Sequence, residues 1–121
     1  MHLELFANRR VVLVPAAIGL RGARFALGRV TGARCRARVW TTEPTGVVSF
    51  SGEATLADVF AVWGEPLGPA RLVSFRGAVS LFRNGVRVPG APGRVALRNG
   101  DELVLEVGGF VPPHRSYRFP P

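Results

Sequence analysis

Hydrophobic and polar residues alternate with a period of two along most of the chain, which is the pattern of half-buried β-strands. Two apolar runs within residues 3–15, separated by a turn at Asn8 and Arg9, predict an N-terminal hairpin. Residues 34–40 alternate in the same way, and residues 47–50 follow them after a turn that contains Pro and Gly. These two segments predict a second hairpin.

The second half of the chain carries a further hairpin signal. Asn84 and Gly85 lie between the alternating runs of residues 78–88, and both central residues of the corresponding turn need a positive φ. Residues 103–107 then predict a terminal strand, after a short apolar run at residues 95–97.

One segment has the periodicity of a helix. Thr55 and Asp58 form a pattern like a capping box, which favours a helix start at this point. Gly64 and Pro66 then end the helix. The residues that share its apolar face are Leu56, Val59, Phe60 and Trp63.

Together these elements predict an α+β fold, a β-rich single domain over residues 1–121. We expect a β-grasp-like mixed sheet of about seven strands, with one helix at about residues 55–64 packed across it. In this interpretation residues 34–107 supply the sheet and the N-terminal hairpin is an extra element. Residues 19–32, rich in Gly and Arg, have room for one short strand. Residues 108–121 are a Pro-rich extended C-terminal tail. The aromatic residues expected to anchor that tail on the sheet are Phe110, Tyr117 and Phe119.

The composition agrees with one folded domain. The chain has 121 residues, of which 47% are hydrophobic, so it can bury a core without disulfides or metal ions. Its apolar runs are far shorter than the ~20 residues of a membrane-spanning helix, and we expect neither a transmembrane segment nor a secretion signal in it. All 16 basic residues are Arg, against 8 acidic residues, and the net charge of +8 favours contact with a polyanion.

The sequence offers few groups for catalysis. The chain contains no Lys, which excludes a P-loop, and no Gly-x-Gly-x-x-Gly follows a predicted strand. Cys35 is the only cysteine, and we expect a buried thiol on the apolar side of its strand. No spacing pairs it with His2 or His114 as a nucleophile. We therefore predict a protein that is not an enzyme and holds no cofactor.

The most concentrated charge lies in residues 34–40. Their alternation places Arg34, Arg36 and Arg38 on one face together with Trp40, with the guanidinium groups about 6.6 Å apart at ~3.3 Å per residue. Such a row can bind an anion or a partner, with Trp40 as a stacking platform like those of single-strand nucleic-acid binders. The simpler interpretation is a solvated strand whose charge prevents aggregation.

Several segments occur in an order and spacing that resemble a family of small, uncharacterised actinobacterial proteins, often membrane-anchored or exported. The resemblance covers almost the whole chain. The segments that carry it are residues 3–18, 45–48, 55–56, 60–67 and 117–121.

The resemblance implies histidine chemistry. Members of that family carry a His-x-His-x-His near the domain start, a His-Thr-His-Asp before the Thr-Gly turn and a His in the return strand, a set that suits a divalent metal. In this chain His2 is left of the first motif, residues 40–43 read Trp-Thr-Thr-Glu in place of the second, and Ser49 replaces the third. His2 and Glu4 are thus weak candidate metal ligands, too few to hold zinc unaided.

These observations favour a small non-catalytic binding module that contacts a partner protein or an anionic polymer through its arginine-bearing face. One alternative is a metal-binding accessory domain with a degenerate His site, and the other is a nucleic-acid-binding module. The resemblance alone suggests the cell envelope, and a cytoplasmic location stays open. We expect the polar groups to be spread over the surface and not to converge on one centre.

Overall fold

A computed structural model gives the structure of residues 1–120. Its helix, α1 (Leu56–Trp63), lies between the eighth and the ninth strand, and a 3-10 turn spans Pro92–Arg94. The strands are β1 (His2–Ala7), β2 (Arg10–Val12), β3 (Leu20–Arg21), β4 (Arg24–Ala26), β5 (Arg29–Gly32), β6 (Cys35–Arg36), β7 (Val39–Trp40), β8 (Ser49–Phe50), β9 (Leu67–Gly68), β10 (Arg71–Leu72), β11 (Phe75–Arg76), β12 (Val79–Arg83), β13 (Val86–Val88) and β14 (Glu102–Val107).

Five of these strands form the main sheet, in the order β13-β12-β14-β1-β2. Its central pair, β1 and β14, is parallel, with His2 opposite Glu102 and Ala7 opposite Val107. The hairpins β1-β2 and β12-β13 flank this pair on either side, and β12 is antiparallel to β14. The mixed sheet and the single helix confirm the predicted α+β, β-rich class.

One face of the main sheet forms the hydrophobic core together with α1. Because side chains alternate across a strand, the leucines of β1 and β14 point to the same side as their paired neighbours. Leu3, Leu5, Leu103 and Leu105 are all at most 1% exposed. The residues that α1 buries against this face are Leu56, Val59 and Phe60.

The helix begins and ends as its sequence predicts. The Thr55 hydroxyl accepts a hydrogen bond from the Asp58 amide, and the Asp58 carboxylate accepts one from the Thr55 amide at 2.8 Å. This capping box satisfies two amides that the helix start leaves free. Gly64 ends the helix with a φ of 86°. Among residues 1–120 no helix is both long and apolar enough to cross a membrane.

The opposite face of the main sheet is covered by the C-terminal tail, which has no helix or strand in residues 108–120. The Val111 amide donates to the Glu106 carboxylate at 3.0 Å. The Phe110 ring packs edge-on against Phe82, with centroids 6.0 Å apart. The tail therefore runs back across the sheet, from the end of β14 towards its start.

Farther along the tail, three more side chains contact the start of the sheet or one another. His114 contacts Glu4, and Tyr117 stacks on His2 with ring centroids 3.6 Å apart. Phe119 packs edge-on against Tyr117 at 5.0 Å. These contacts confirm the predicted anchoring of the tail by its aromatic residues.

The remaining strands form short ladders outside the main sheet. One three-stranded sheet has the order β11-β10-β9, and the pairs β3-β6, β4-β5 and β7-β8 stand alone. The three-stranded sheet contributes Leu72 to the core. By contrast, every residue from 21 to 38 is exposed or half-buried. We call residues 21–38 the excursion, because this segment lies at the surface outside the core.

The prediction that residues 34–107 supply the main sheet is wrong. The alternating residues 34–40 are broken into β6 and β7 and lie outside the main sheet, whereas the N-terminal hairpin supplies β1 of its central pair and the edge strand β2. On the apolar side of this segment Cys35 and Ala37 bury too little area to join the core, and only Val39 does so. Cys35 is exposed, so its predicted burial is also wrong. The run at residues 95–97 makes a single bridge, between Ala96 and Thr55.

Leu105→Ala is expected to lower the free energy of unfolding by about 2–5 kcal/mol, because it leaves a cavity at the centre of the main sheet. Leu105 is fully buried between Leu5 and Leu81 on the neighbouring strands. Urea titration followed by tryptophan fluorescence measures the change. Val86→Ala is the control, since Val86 is 68% exposed and its loss should change stability by at most about 0.5 kcal/mol. Equal losses in both variants would contradict the assigned core.

Candidate functional site

Three ionisable side chains meet on the outer face of the central strand pair. His2 and Glu4 lie two residues apart on β1 and so point to the same side, away from the leucine core. The parallel register places Glu102 opposite His2. One donor atom from each of these three side chains lies within 4.8 Å of the others.

The hydrogen bonds of the His2 ring fix its tautomer. Its Nε2 lies 2.8 Å from the Thr45 carbonyl oxygen, which can only accept, so Nε2 carries a hydrogen. Its Nδ1 lies 2.9 and 3.1 Å from the two carboxylate oxygens of Glu102 and 3.8 Å from Glu4 Oε1. Ionised carboxylates also only accept, so a proton or another cation must lie between Nδ1 and Glu102.

The loop that carries Thr45 is held against β1 by backbone contacts. The Leu3 amide donates to the Gly46 carbonyl at 2.8 Å. Gly46 has a φ of 84°, and a Cβ at this position would collide with the Leu3 carbonyl oxygen and the His2 ring. Only glycine allows the loop to approach so closely, and the approach brings the Thr45 carbonyl to His2.

Burial changes the acid-base chemistry of this cluster. Glu102 is completely buried, and His2 is 5% exposed. Burial raises the pKa of Glu102, and the neighbouring Glu4 carboxylate raises it further, whereas the hydrogen bond and charge of His2 lower it. The 2.9 Å contact between His2 Nδ1 and Glu102 needs a hydrogen between the two groups, which a metal ion would have to displace.

The tail completes the surroundings of the cluster. His114 Nδ1 lies 2.8 Å from Glu4 Oε1, and the His114 side chain is 66% exposed. Tyr117 covers the His2 ring from the solvent side. The resulting cleft is lined by these groups together with β1, residues 11–14, residues 44–46 and Glu102. It opens beside His114 and closes over His2.

The expectation that the polar groups are spread over the surface is wrong for this cluster, in which His2 and Glu102 are buried. Of its members, His2 and Glu4 are named by the sequence pattern, whereas Glu102 and His114 are missed. Glu102 lies directly before the predicted strand of residues 103–107, so the strand pattern does not assign it to a face of the sheet. The sequence gives no signal for His114, because the tail has no periodicity from which a contact 110 residues away in sequence could be inferred.

The arginine row of residues 34–40 is assembled only in part. The guanidinium carbon of Arg36 lies 4.1 Å from the Trp40 ring centroid, a cation-π contact on one face as expected. Arg38 instead donates to the Glu53 carbonyl oxygen at 3.1 Å, and the Arg34 side chain lies over Gly22. The three guanidinium groups are exposed but have different neighbours.

Cys35 lies apart from the histidine cluster. Its exposed side chain lines two other clefts, one beside Trp63 and one beside Trp40.

Comparisons with protein-family models, with curated proteins and with solved structures found no match to this chain. The chemistry of the cluster therefore rests on its own geometry.

A second carboxylate is buried under the tail. Glu106 is 3% exposed and accepts one hydrogen bond, from the Val111 amide. Within residues 1–120 its other oxygen, Oε2, has no hydrogen-bond partner. Burial raises the pKa of Glu106, and the Val111 hydrogen bond opposes the rise only in part.

Glu106→Gln is expected to stabilise the protein, relative to wild type, more at pH 7 than at pH 4. Because the pKa of Glu106 is raised in the folded state, the unfolded chain ionises first as the pH rises through its ordinary value of 4.5, and wild-type stability falls. Glutamine removes this loss. Urea titrations at both pH values measure the effect as the difference between variant and wild type. Glu53→Gln, at an exposed site, should leave the pH profile unchanged. A Glu106→Gln profile parallel to that of wild type would disprove the assignment.

Proposed function

We propose that this protein is a small non-catalytic binding domain that holds a first-row divalent metal ion between His2, Glu4 and Glu102. The observation that carries the proposal is the orientation of the His2 ring. Its Nδ1 faces the carboxylates of Glu102 and Glu4, while its Nε2 is held by the Thr45 carbonyl. A backbone carbonyl on the far nitrogen is the usual way of orienting a metal-ligating histidine.

The charge balance of the cluster favours a dication over a proton. A proton on His2 offsets one carboxylate, whereas Glu4 and Glu102 together carry up to two negative charges in buried or nearly buried positions. The other contact of Glu4 is His114, an exposed side chain. Because buried charges need compensation, an ion of charge two would satisfy both carboxylates at once.

The donor set selects the class of metal. Imidazole nitrogen with carboxylate oxygen suits Zn²⁺, Ni²⁺ or Cu²⁺, whereas Mg²⁺ and Ca²⁺ prefer oxygen alone. Metal-ligand distances of ~2.1 Å imply ligand separations of about 3.4 Å in a tetrahedral site, close to the 2.9 and 3.8 Å that separate His2 Nδ1 from the two carboxylates. His114 Nδ1, which contacts Glu4, is the candidate for a fourth ligand.

We propose that the domain is not an enzyme, since both ring nitrogens of His2 are already engaged and Cys35 lies at other clefts. We also propose the β-grasp topology for the main sheet. It is supported by the parallel pairing of the first and last strands, the hairpin on each side and the single helix across one face.

The metal proposal agrees with the chemistry implied by the resemblance to the actinobacterial envelope family. We propose that relationship, with carboxylates from β1 and β14 replacing most of the histidines. Binding of an anionic polymer through Arg34, Arg36 and Arg38 has less support, because their guanidinium groups have different neighbours.

The test is the thermal stability of the untagged chain with Zn²⁺, Ni²⁺ and Cu²⁺. A ligand specific for the folded state stabilises it by about 2.7 kcal/mol at a free concentration of 100 times Kd. We expect a saturable rise of the melting temperature, with Cu²⁺ binding tightest. Glu4→Gln should abolish the rise, because it removes a carboxylate ligand while keeping the size of the side chain.

Glu53→Gln is the matched control, since Glu53 is exposed and its side chain lies outside the cluster. It should keep the wild-type response to each metal. Mg²⁺ at the same concentration should give no shift. If wild type fails to respond, or if Glu4→Gln responds as wild type does, the metal site is not the one proposed.

A further inference from the structure

The hairpin β4-β5 lies at the surface, outside the main sheet. All three residues of β4 are exposed, and the two strands pair with each other alone. An isolated two-stranded hairpin gains little stability from its own packing. Yet its tip carries two large apolar side chains, Phe25 at 56% and Leu27 at 102% relative exposure.

Leu27 is an unusual residue for its position. The turns of three hairpins share one backbone conformation: Asn8 and Arg9 have φ of 52° and 65°, Asn84 and Gly85 have 51° and 84°, and Leu27 and Gly28 have 54° and 77°. Asparagine tolerates this left-handed conformation, whereas a leucine side chain rarely adopts it. The chain thus has a fully exposed leucine at the position where the other two turns have asparagine.

The stretch of chain that contains the apolar tip carries the entire net charge of the protein. Residues 5–42 contain eight of the 16 Arg and no acidic residue, so the other eight Arg are balanced by the eight acids. Glu4 and Glu43 are the acids at the two ends of this stretch, and Glu43 pairs with Arg29 at 3.3 Å. The exposed arginines of the excursion are Arg21, Arg24, Arg29, Arg34, Arg36 and Arg38.

We propose that the β4-β5 hairpin binds the surface of an anionic lipid bilayer, with Leu27 and Phe25 inserted among the acyl chains and the arginines on the headgroups. Apolar side chains in front of a basic surface are the arrangement of proteins that lie on a membrane without spanning it. Arginine suits the boundary, since its stem contacts apolar material while the guanidinium stays with the phosphates.

A nucleic acid matches the charge but not the tip. Binding to phosphates requires only the arginines. The exposed Leu27 side chain has no aromatic ring and so cannot stack on a base. The aromatic platform expected for bases, Trp40, is already covered by the Arg36 guanidinium. A bilayer uses both features, because burial of the leucine adds to the attraction between the arginines and the lipid headgroups.

Co-sedimentation with lipid vesicles tests the proposal. We expect the full chain to bind vesicles of phosphatidylglycerol and phosphatidylcholine in equal parts, and not phosphatidylcholine alone. Leu27→Asn should weaken binding about tenfold or more, the loss expected for an apolar side chain of this size. Because the other two turns use asparagine, this variant should melt at or above the wild-type temperature. Phe25→Thr, a strand former, is a second variant and should also weaken binding.

Two matched controls separate insertion from charge. Val86→Thr changes an exposed apolar residue on β13, an edge strand of the main sheet, and should leave vesicle binding unchanged. Arg24→Gln with Arg29→Gln should weaken binding about thirtyfold. Arg94→Gln with Arg98→Gln lowers the net charge equally at other exposed sites and should weaken binding less than about threefold.

Three results would overturn the proposal. The first is an absence of vesicle binding by the wild type. The second is vesicle binding that Leu27→Asn and Phe25→Thr leave unchanged, or that both arginine pairs weaken equally, which would indicate unspecific attraction. The third is salt-sensitive binding of single-stranded DNA that is tighter than vesicle binding and insensitive to Leu27→Asn, which would make nucleic acid the partner.

Discussion

The parallel pairing of β1 with β14 is the constraint on which the rest of the structure depends. It joins residues 100 apart in sequence, since His2 lies opposite Glu102. Because paired residues point to the same side, this one register places the leucines of both strands on the helix side and their ionisable residues on the other. A slip of one residue would put carboxylates into the core and leucines under the tail. The core and the candidate metal site are therefore two consequences of one alignment.

The two faces of the central pair are buried by different means. On the helix side, apolar area removed from water stabilises the fold directly. On the tail side, the extended C-terminus covers His2, Glu102 and Glu106, so polar groups lose water and need partners within the protein. Glu106 has a backbone amide and Glu102 has His2. The second face costs stability unless its charges are compensated, and the proposed cation would supply that compensation.

Features set by neighbouring residues could be predicted from the sequence, whereas those set by distant contacts could not. The turns at Asn8 and Asn84 and the capped helix starting after Thr55 depend on local chemistry, and the structure has all three. The alternation of residues 34–40 has the period of a strand, but periodicity does not specify a partner, and this segment contributes only Val39 to the core. Glu102 and His114 were missed for the same reason, because each joins His2 or Glu4 through folding alone.

The uneven charge distribution allows a cation site and a basic surface in one small protein. A net charge of +8 should repel a metal ion, but the arginines of residues 5–42, most of which lie in the excursion, are exposed to water. Their field is screened over about 8 Å at physiological salt. The carboxylates of the cluster are buried, where charge interactions are stronger and less screened. The local field of Glu4 and Glu102 therefore decides the potential at His2 Nδ1, and burial beneath the tail is what makes that possible.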